Sequence, residues 1–226
     1  MNKVLLRLYY WQIPQERNAI PYLPLHKIVC LHFVQDPIEF FYYDVYGGAF
    51  KGYMTGYEGT NLFGPWDKMD RQTVAVALYK LEGSPSITKD EIDKELSGFT
   101  DPDEIANWAK TGLARCSKTG KFTGFDNKDG TWTAKPIMSA NREMIATYLW
   151  RFAGKPVVKS TEKFDKMPDK NSVSKWALDG TKWCMGVEII SDVEIEGKTQ
   201  KFIQPTGNAF RGAMATMLVR GEDYLI

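Results

Sequence analysis

Three arginines of this chain, Arg71, Arg142 and Arg211, recur in one repeating context. Each stands six residues after a proline (Pro65, Pro136, Pro205), with an alanine four residues later (Ala75, Ala146, Ala215) and a leucine seven later (Leu78, Leu149, Leu218). The arginines lie 71 and 69 residues apart. A guanidinium is a planar, permanently charged fork that matches a carboxylate with two parallel hydrogen bonds. In the first turn of a helix it sits beside unpaired backbone N–H groups and the positive end of the helix dipole. A cation is slightly unfavourable there, so keeping one three times implies that an anion comes to it. A second use is open to the same side chains. They could pair with Asp44, Asp101 or Asp165 and tie neighbouring units together.

Around the arginines lie groups suited to a sugar ligand. Trp108, Trp176, Trp132 and Phe63 offer apolar faces on which sugar rings stack, although tryptophans in such places more often belong to a core. Gly56 and Gly124 open glycine-rich loops that let backbone approach a ligand closely. On this reading Arg142 is the leading anion contact, with Gly124 and the Trp108 helix beside it. Arg211 with Trp176 comes next, then Arg71 with Gly56, and Asp101 and Asp165 complete the candidate set.

Helices must position these side chains. Val74, Leu78 and Leu81 fall at i, i+4, i+7, as do Ile145, Leu149 and Phe152, and Met214 with Leu218 repeats the spacing. Asp70 and Asn141, immediately before their arginines, are N-cap residues, and Gly83 and Gly154 suit the C-terminal stop, followed by Pro85 and Pro156. Thr88 with Glu91 is a capping-box signal for a short helix ending near Gly98. Upstream, an aromatic residue lies two to four positions before each proline (Phe63, Trp132, Phe202). Trp-Ala-x-x-Gly occurs twice, Trp108 to Gly112 and Trp176 to Gly180, and a cysteine (Cys116, Cys184) stands eight residues past each tryptophan. Phe99 with Asp101, and Phe164 with Asp165, precede these runs. Units this short cannot each bury a core alone and must pack on one another.

These residues resemble the S-layer homology (SLH) domain family of bacterial surface proteins. Tyr43-Asp44-Val45, Trp176-Ala177, Gly56-Tyr57, Phe63-Gly64-Pro65 and Asn141-Arg142-Glu143 correspond to that family's motifs, over roughly residues 41 to 220. The resemblance implies a mainly α fold: three helix-loop-helix SLH-like repeats in a pseudo-threefold bundle. An N-terminal extension spans 1–40 and a shortened first repeat 41–83. A linker helix follows over 84–98, a second repeat over 99–154, a linker over 155–162, a third repeat over 163–220 and a tail over 221–226. It further implies a non-catalytic protein that anchors to the cell envelope by binding an acidic, in some members pyruvylated, secondary cell-wall polysaccharide. Self-association in a surface layer, or protein binding without glycan, is the alternative role. The chain departs from the family pattern in places. Only 11 residues separate Asp44 from Gly56, against 22 between Asp101 and Gly124. The third repeat reads Phe210-Arg211-Gly212, without the capping threonine or the glutamate.

Composition sets outer bounds. With 226 residues, 43% of them apolar, one compact unit of about 180 residues plus an extension is expected. A net charge of +1 gives no whole-chain attraction for nucleic acid, so cationic binding here is local. Three cysteines, Cys30, Cys116 and Cys184, make no disulfide scaffold, and the last two suit small buried packing positions. Asp126-Asn127-Lys128-Asp129-Gly130 resembles a calcium loop, but counting back from Gly130 puts Phe125 and Pro136 at the carboxylate positions, so no metal is expected. His26 and His32 lack partners at zinc spacing, no cofactor motif occurs, and Glu222 and Asp223 read as a solvated end. Met1 to Trp11 is interrupted by Arg7 and makes a poor secretion signal, although a cell-surface location requires export.

Overall fold

The structure, a computed structural model, describes residues 51–57, 63–195 and 198–226. Asp44, Cys30, His26, His32 and the N-terminal extension lie outside the described residues. The protein is mostly helical. In chain order the helices are α1 (Arg71–Leu81), α2 (Lys89–Leu96), α3 (Asn107–Lys118), α4 (Arg142–Phe152), α5 (Glu162–Asp165), α6 (Leu178–Gly186), α7 (Arg211–Arg220) and α8 (Glu222–Leu225). Two antiparallel strand pairs accompany them. β1 (Phe125–Asp126) pairs with β2 (Trp132–Thr133), and β3 (Val193–Glu194) with β4 (Lys201–Phe202).

Local chemistry explains the helix ends. The Asp70 carboxylate accepts from the Thr73 N–H and the Asn141 side chain from the Met144 N–H, each satisfying one orphan donor. Thr88 and Glu91 form the reciprocal capping box of α2. Gly83 (φ 85°) and Gly154 (φ 81°) take the left-handed conformation that stops α1 and α4. α7 has Phe210 at its N-cap and no side-chain cap.

The first two N–H groups of each arginine-headed helix are satisfied across the molecule. Arg71 and Gln72 donate to the carbonyls of Met138 and Pro136, Arg142 and Glu143 to those of Gly207 and Pro205, and Arg211 and Gly212 to those of Asp67 and Pro65. Beside them three backbone bonds close a ring. Met69 donates to Ala209 (2.9 Å), Ala209 to Ala140 (3.0 Å) and Ala140 to Met69 (2.8 Å). All three residues are buried, so each N–H and C=O must find such a partner.

One core cluster joins the elements, with Leu78, Leu113, Ile145, Leu149, Met214 and Leu218 among its fully buried members. α1 packs on α3 and α4 on α6. The glycines of the two Trp-Ala-x-x-Gly runs sit at these crossings. A Cβ on Gly112 would lie 3.0 Å from the Val76 Cα, and one on Gly180 would lie 2.8 Å from the Thr147 Cα. Backbone therefore meets backbone at both crossings. Cys116 and Cys184 are buried free thiols whose Sγ atoms face the carbonyls of Ala75 and Ala146.

Of the expected solvated end, Asp223 is exposed, but Glu222 is docked. Glu222 accepts from the Tyr53 hydroxyl (2.7 Å) and pairs with Lys51, while Leu225 is buried. Apolar burial of Leu225 holds the last turn against the core and brings the carboxylate to its partners.

Candidate functional site

Each arginine reaches out of its helix start toward the loop before another proline. Arg71 donates Nε to the Ala134 carbonyl (2.8 Å), Nη2 to the Thr123 carbonyl (2.8 Å) and Nη1 to the Tyr148 hydroxyl. Arg142 donates Nε to Ile203 (2.8 Å) and Nη2 to Ser191 (2.6 Å). Arg211 donates Nε to Phe63 (2.8 Å) and Nη2 to Thr55 (2.7 Å), again to carbonyl oxygens. In all three cases the Nε partner stands two residues before the proline. By this contact Phe63 matches Ala134 and Ile203, and the sequence match of Phe63 with Trp132 and Phe202 is corrected.

A second cation meets each first one. Nine residues past the arginines stand Lys80, Arg151 and Arg220. Arg151 Nη1 donates to the Thr123 hydroxyl (2.8 Å), Lys80 Nζ to the Thr55 hydroxyl (3.2 Å) and Arg220 Nη1 to the Ser191 hydroxyl. One residue therefore gives its carbonyl to one cation and its hydroxyl to another, and this happens three times. The paired cations are Arg71 with Arg151, Arg142 with Arg220, and Arg211 with Lys80. Among the described residues no carboxylate comes within 4.0 Å of any of the six. The expected alternative pairing with Asp101 or Asp165 is thus replaced by bonds to backbone carbonyls. Burial lowers the proton affinity of Lys80, and the charge of Arg211 lowers it further. Burial acts likewise on Arg71, where Tyr148 and Asp101 work against it and Arg151 adds to it.

The three clefts differ. Arg71 is 3% exposed, with Cζ 4.5 Å from the Phe122 ring centre and 4.6 Å from that of Phe125. All three of its nitrogens are engaged, so it serves packing fully. Arg211 lies 4.7 Å from the Tyr57 ring and 4.9 Å from that of Phe63. Arg142 is only partly buried, and its Nη1 makes no hydrogen bond to a described residue. Burial lowers its pKa while Asp169 and Asp192, at longer range, raise it.

The remaining candidates divide. The Asp101 carboxylate accepts from the N–H groups of Ala134 and Lys135, both at 2.7 Å, and fixes the loop whose carbonyl Arg71 grips. Its counterpart is Asp169, which accepts from Ile203 (2.9 Å) and Gln204 (2.8 Å). Asp165 instead accepts from the Thr161 hydroxyl within its own turn. Gly124 leaves the space that the Phe99 ring occupies, 2.8 Å from where a Cβ would be, and Gly56 is exposed beside Tyr57. Trp108 and Trp176 are 59% and 52% exposed, so neither belongs to the core. The residue after the arginine acts just upstream of each. The Gln72 side chain accepts from the Ala106 N–H (3.0 Å), and Glu143 accepts from the N–H and hydroxyl of Ser174, both 2.9 Å.

Compared with protein-family models and with curated proteins, the sequence matches none.

Sequence reading missed the second cations, although their constant offset of nine was available. It also missed Asp169, which stands seven residues before Trp176 as Asp101 does before Trp108. Among the described residues no cluster of three His, Cys, Asp or Glu side chains could hold a metal. Burial pushes the Cys116 thiol up to about 12, which suppresses the reactive thiolate. No described helix is long and apolar enough to cross a membrane.

Proposed function

We propose that this chain anchors a protein to the bacterial cell envelope by binding an acidic secondary cell-wall polysaccharide, one bearing carboxylates such as pyruvyl ketals. The reading includes three SLH-like repeats about a pseudo-threefold axis, with a ligand cleft at each junction, and no catalytic role. The ring of backbone bonds through Met69, Ala140 and Ala209 supports the arrangement. So does the matched capping of each arginine-headed helix by the loop before another proline.

The observation that carries the function is the pairing of cations with no carboxylate in ion-pair contact among the described residues. Holding two like charges on one hydroxyl residue is unfavourable unless an anion comes to lie between or beside them. A carboxylate has two oxygens and accepts from both donors at once. The cleft of Arg142, Arg220 and Ser191 is the most open and is the leading site, with Arg211 and Lys80 next. Arg71 with Arg151 ranks last, because Arg71 is already saturated.

A second reading, protein binding within a surface array, is favoured by the exposed tryptophans Trp108 and Trp176. Co-sedimentation with purified cell-wall sacculi, before and after the secondary polymer is stripped, separates the two. Loss of binding on stripping is expected, and undiminished binding would end the polysaccharide reading.

A further inference from the structure

An open cleft of about 370 Å³ lies between α2, the end of α3 and the β1–β2 hairpin, with Thr123, the residue shared by Arg71 and Arg151, in its lining. Phe99, Phe122 and Trp132 supply its aromatic surface, while Lys94, Glu95 and Ser117 supply polar groups. It is an open cleft rather than an enclosed pocket, so a ligand here lies against one face of the protein.

The aromatic surface is held in place. The Trp132 backbone is paired with Asp126 in the hairpin, and its carbonyl accepts from the Thr100 N–H (2.8 Å). The indole is nonetheless 44% exposed. Phe99 stands edge-on to the buried Phe122, with centroids 6.2 Å apart at 88°. The Phe99 ring fills the space beside Gly124 that a side chain there would occupy. Gly98 and Gly120 leave bare backbone on another side.

The polar groups carry one charge of each sign. Glu95 accepts from the Ser117 hydroxyl (3.2 Å) through Oε2, and its Oε1 makes no hydrogen bond to a described residue. Lys94 is exposed and forms no ion pair among the described residues. A strongly acidic ligand would meet the Glu95 carboxylate, and a purely apolar one would leave both charges unanswered. A sugar ring suits both features, because its C–H face stacks on an indole while its hydroxyls donate to a carboxylate and accept from an ammonium.

The cavity belongs to one place in the chain. Its α2 wall comes from residues 84–98, whereas residues 155–162, in the corresponding interval before the third repeat, contain only the start of the short α5. Four residues before its proline, where Trp132 stands, the third repeat has Lys201.

We propose that this cavity is a second glycan subsite that takes an uncharged hexopyranose ring, stacked on Trp132 and hydrogen-bonded to Glu95. It adjoins the Arg71–Arg151 pair through Thr123, but an uncharged sugar makes no call on those cations.

The test is a titration of the ¹⁵N-labelled full chain with N-acetylglucosamine and with methyl glucoside, read in amide and indole N–H spectra. Saturable shifts are expected at the Trp132 indole and at the amides of Gly98, Gly120 and Gly124. Trp132→Ala should weaken the binding about tenfold, the loss of one aromatic stacking face. Tyr224→Ala, an exposed aromatic residue outside the cavity, should leave it unchanged. Glu95→Ala, which removes the carboxylate bonded to Ser117 at the cavity wall, should weaken it while keeping the aromatic surface, and it decides the matter if Trp132→Ala does not fold. Absence of saturable shifts with both sugars overturns the proposal. Shifts that persist at full strength in the folded Trp132 or Glu95 variant overturn it too, as does equal loss on Tyr224→Ala.

Discussion

Removing the two cations of the open cleft, singly and together, tests the anion site most directly. Arg142→Ala deletes the bonds to the Ile203 and Ser191 carbonyls. Hydrogen bonds involving a charged group are worth about 1.5–3 kcal/mol each, but the deletion also relieves a partly buried charge that forms no ion pair among the described residues. A net stability loss of about 2 kcal/mol is expected, which a domain with about 5–15 kcal/mol of stability survives. Arg220 is exposed, and Arg220→Ala should cost about 0.5 kcal/mol or less. For binding, losing one charge-assisted pair at Arg142 should cost about 1.5–3 kcal/mol, or roughly 10- to 100-fold in affinity. Arg220, more hydrated, should cost about 1 kcal/mol. If one anion sits on both, the double variant should depart from the sum of the single losses by at least about 0.5 kcal/mol. Calorimetric titration with purified acidic polymer measures binding, and urea unfolding measures stability. An Arg142→Ala chain that folds and binds at full affinity would refute the reasoning and leave the arginine as a tie between loops. Arg71→Ala is the contrasting control. With three bonds lost from a site that is 3% exposed, it should destabilise by about 3–5 kcal/mol.

Other consequences follow from the packing. Gly180→Ala places a Cβ 2.8 Å from the Thr147 Cα, so α4 and α6 must separate. A loss of about 1–3 kcal/mol is expected in thermal unfolding, and an unchanged midpoint would contradict the close crossing. Asp169→Asn leaves one of two loop N–H groups facing an amide donor and should destabilise by about 1–3 kcal/mol. The same change at Asp101 should behave alike, and a neutral result at both would deny that these carboxylates fix the loops. Glu82 is pushed up by burial, but the hydrogen bonds of Arg115 and Lys121 outweigh this and hold it below the usual carboxylate range. A depressed carboxyl stabilises the fold above its ordinary titration range, and that stability is lost as pH falls through the depressed value. The stability gap between the native chain and Glu82→Gln should therefore narrow below about pH 4. A gap that widened on acidification would contradict the sign.

Much local structure was legible in the residues alone because it depends on near neighbours. Asp70, Asn141 and the Thr88–Glu91 pair mark helix starts through contacts three residues away, and Gly83 and Gly154 mark stops through their own backbone angles. The buried free cysteines followed from their matched places on apolar faces. Exposure was harder to read. Trp108 and Trp176 combine large apolar area with a position at a helix start, and sequence does not say which side of that start faces out.

The sequence by itself determined where the arginine-headed helices begin and end, and that three similar segments exist, because caps, stops and periodic apolar positions act over a turn or two. Only the tertiary structure decided what the arginines hold. Their guanidinium groups reach carbonyls from 49 to 156 residues away in the chain. Only the fold could bring Lys80, Arg151 and Arg220 to the same hydroxyl residues, and only it could give Asp169 the part first read for Asp165. The physical reason is that a long side chain's partner is set by which backbone the core packing delivers to it. That delivery depends on helix crossings such as those at Gly112 and Gly180, where the absence of a side chain lets two helices approach within contact distance.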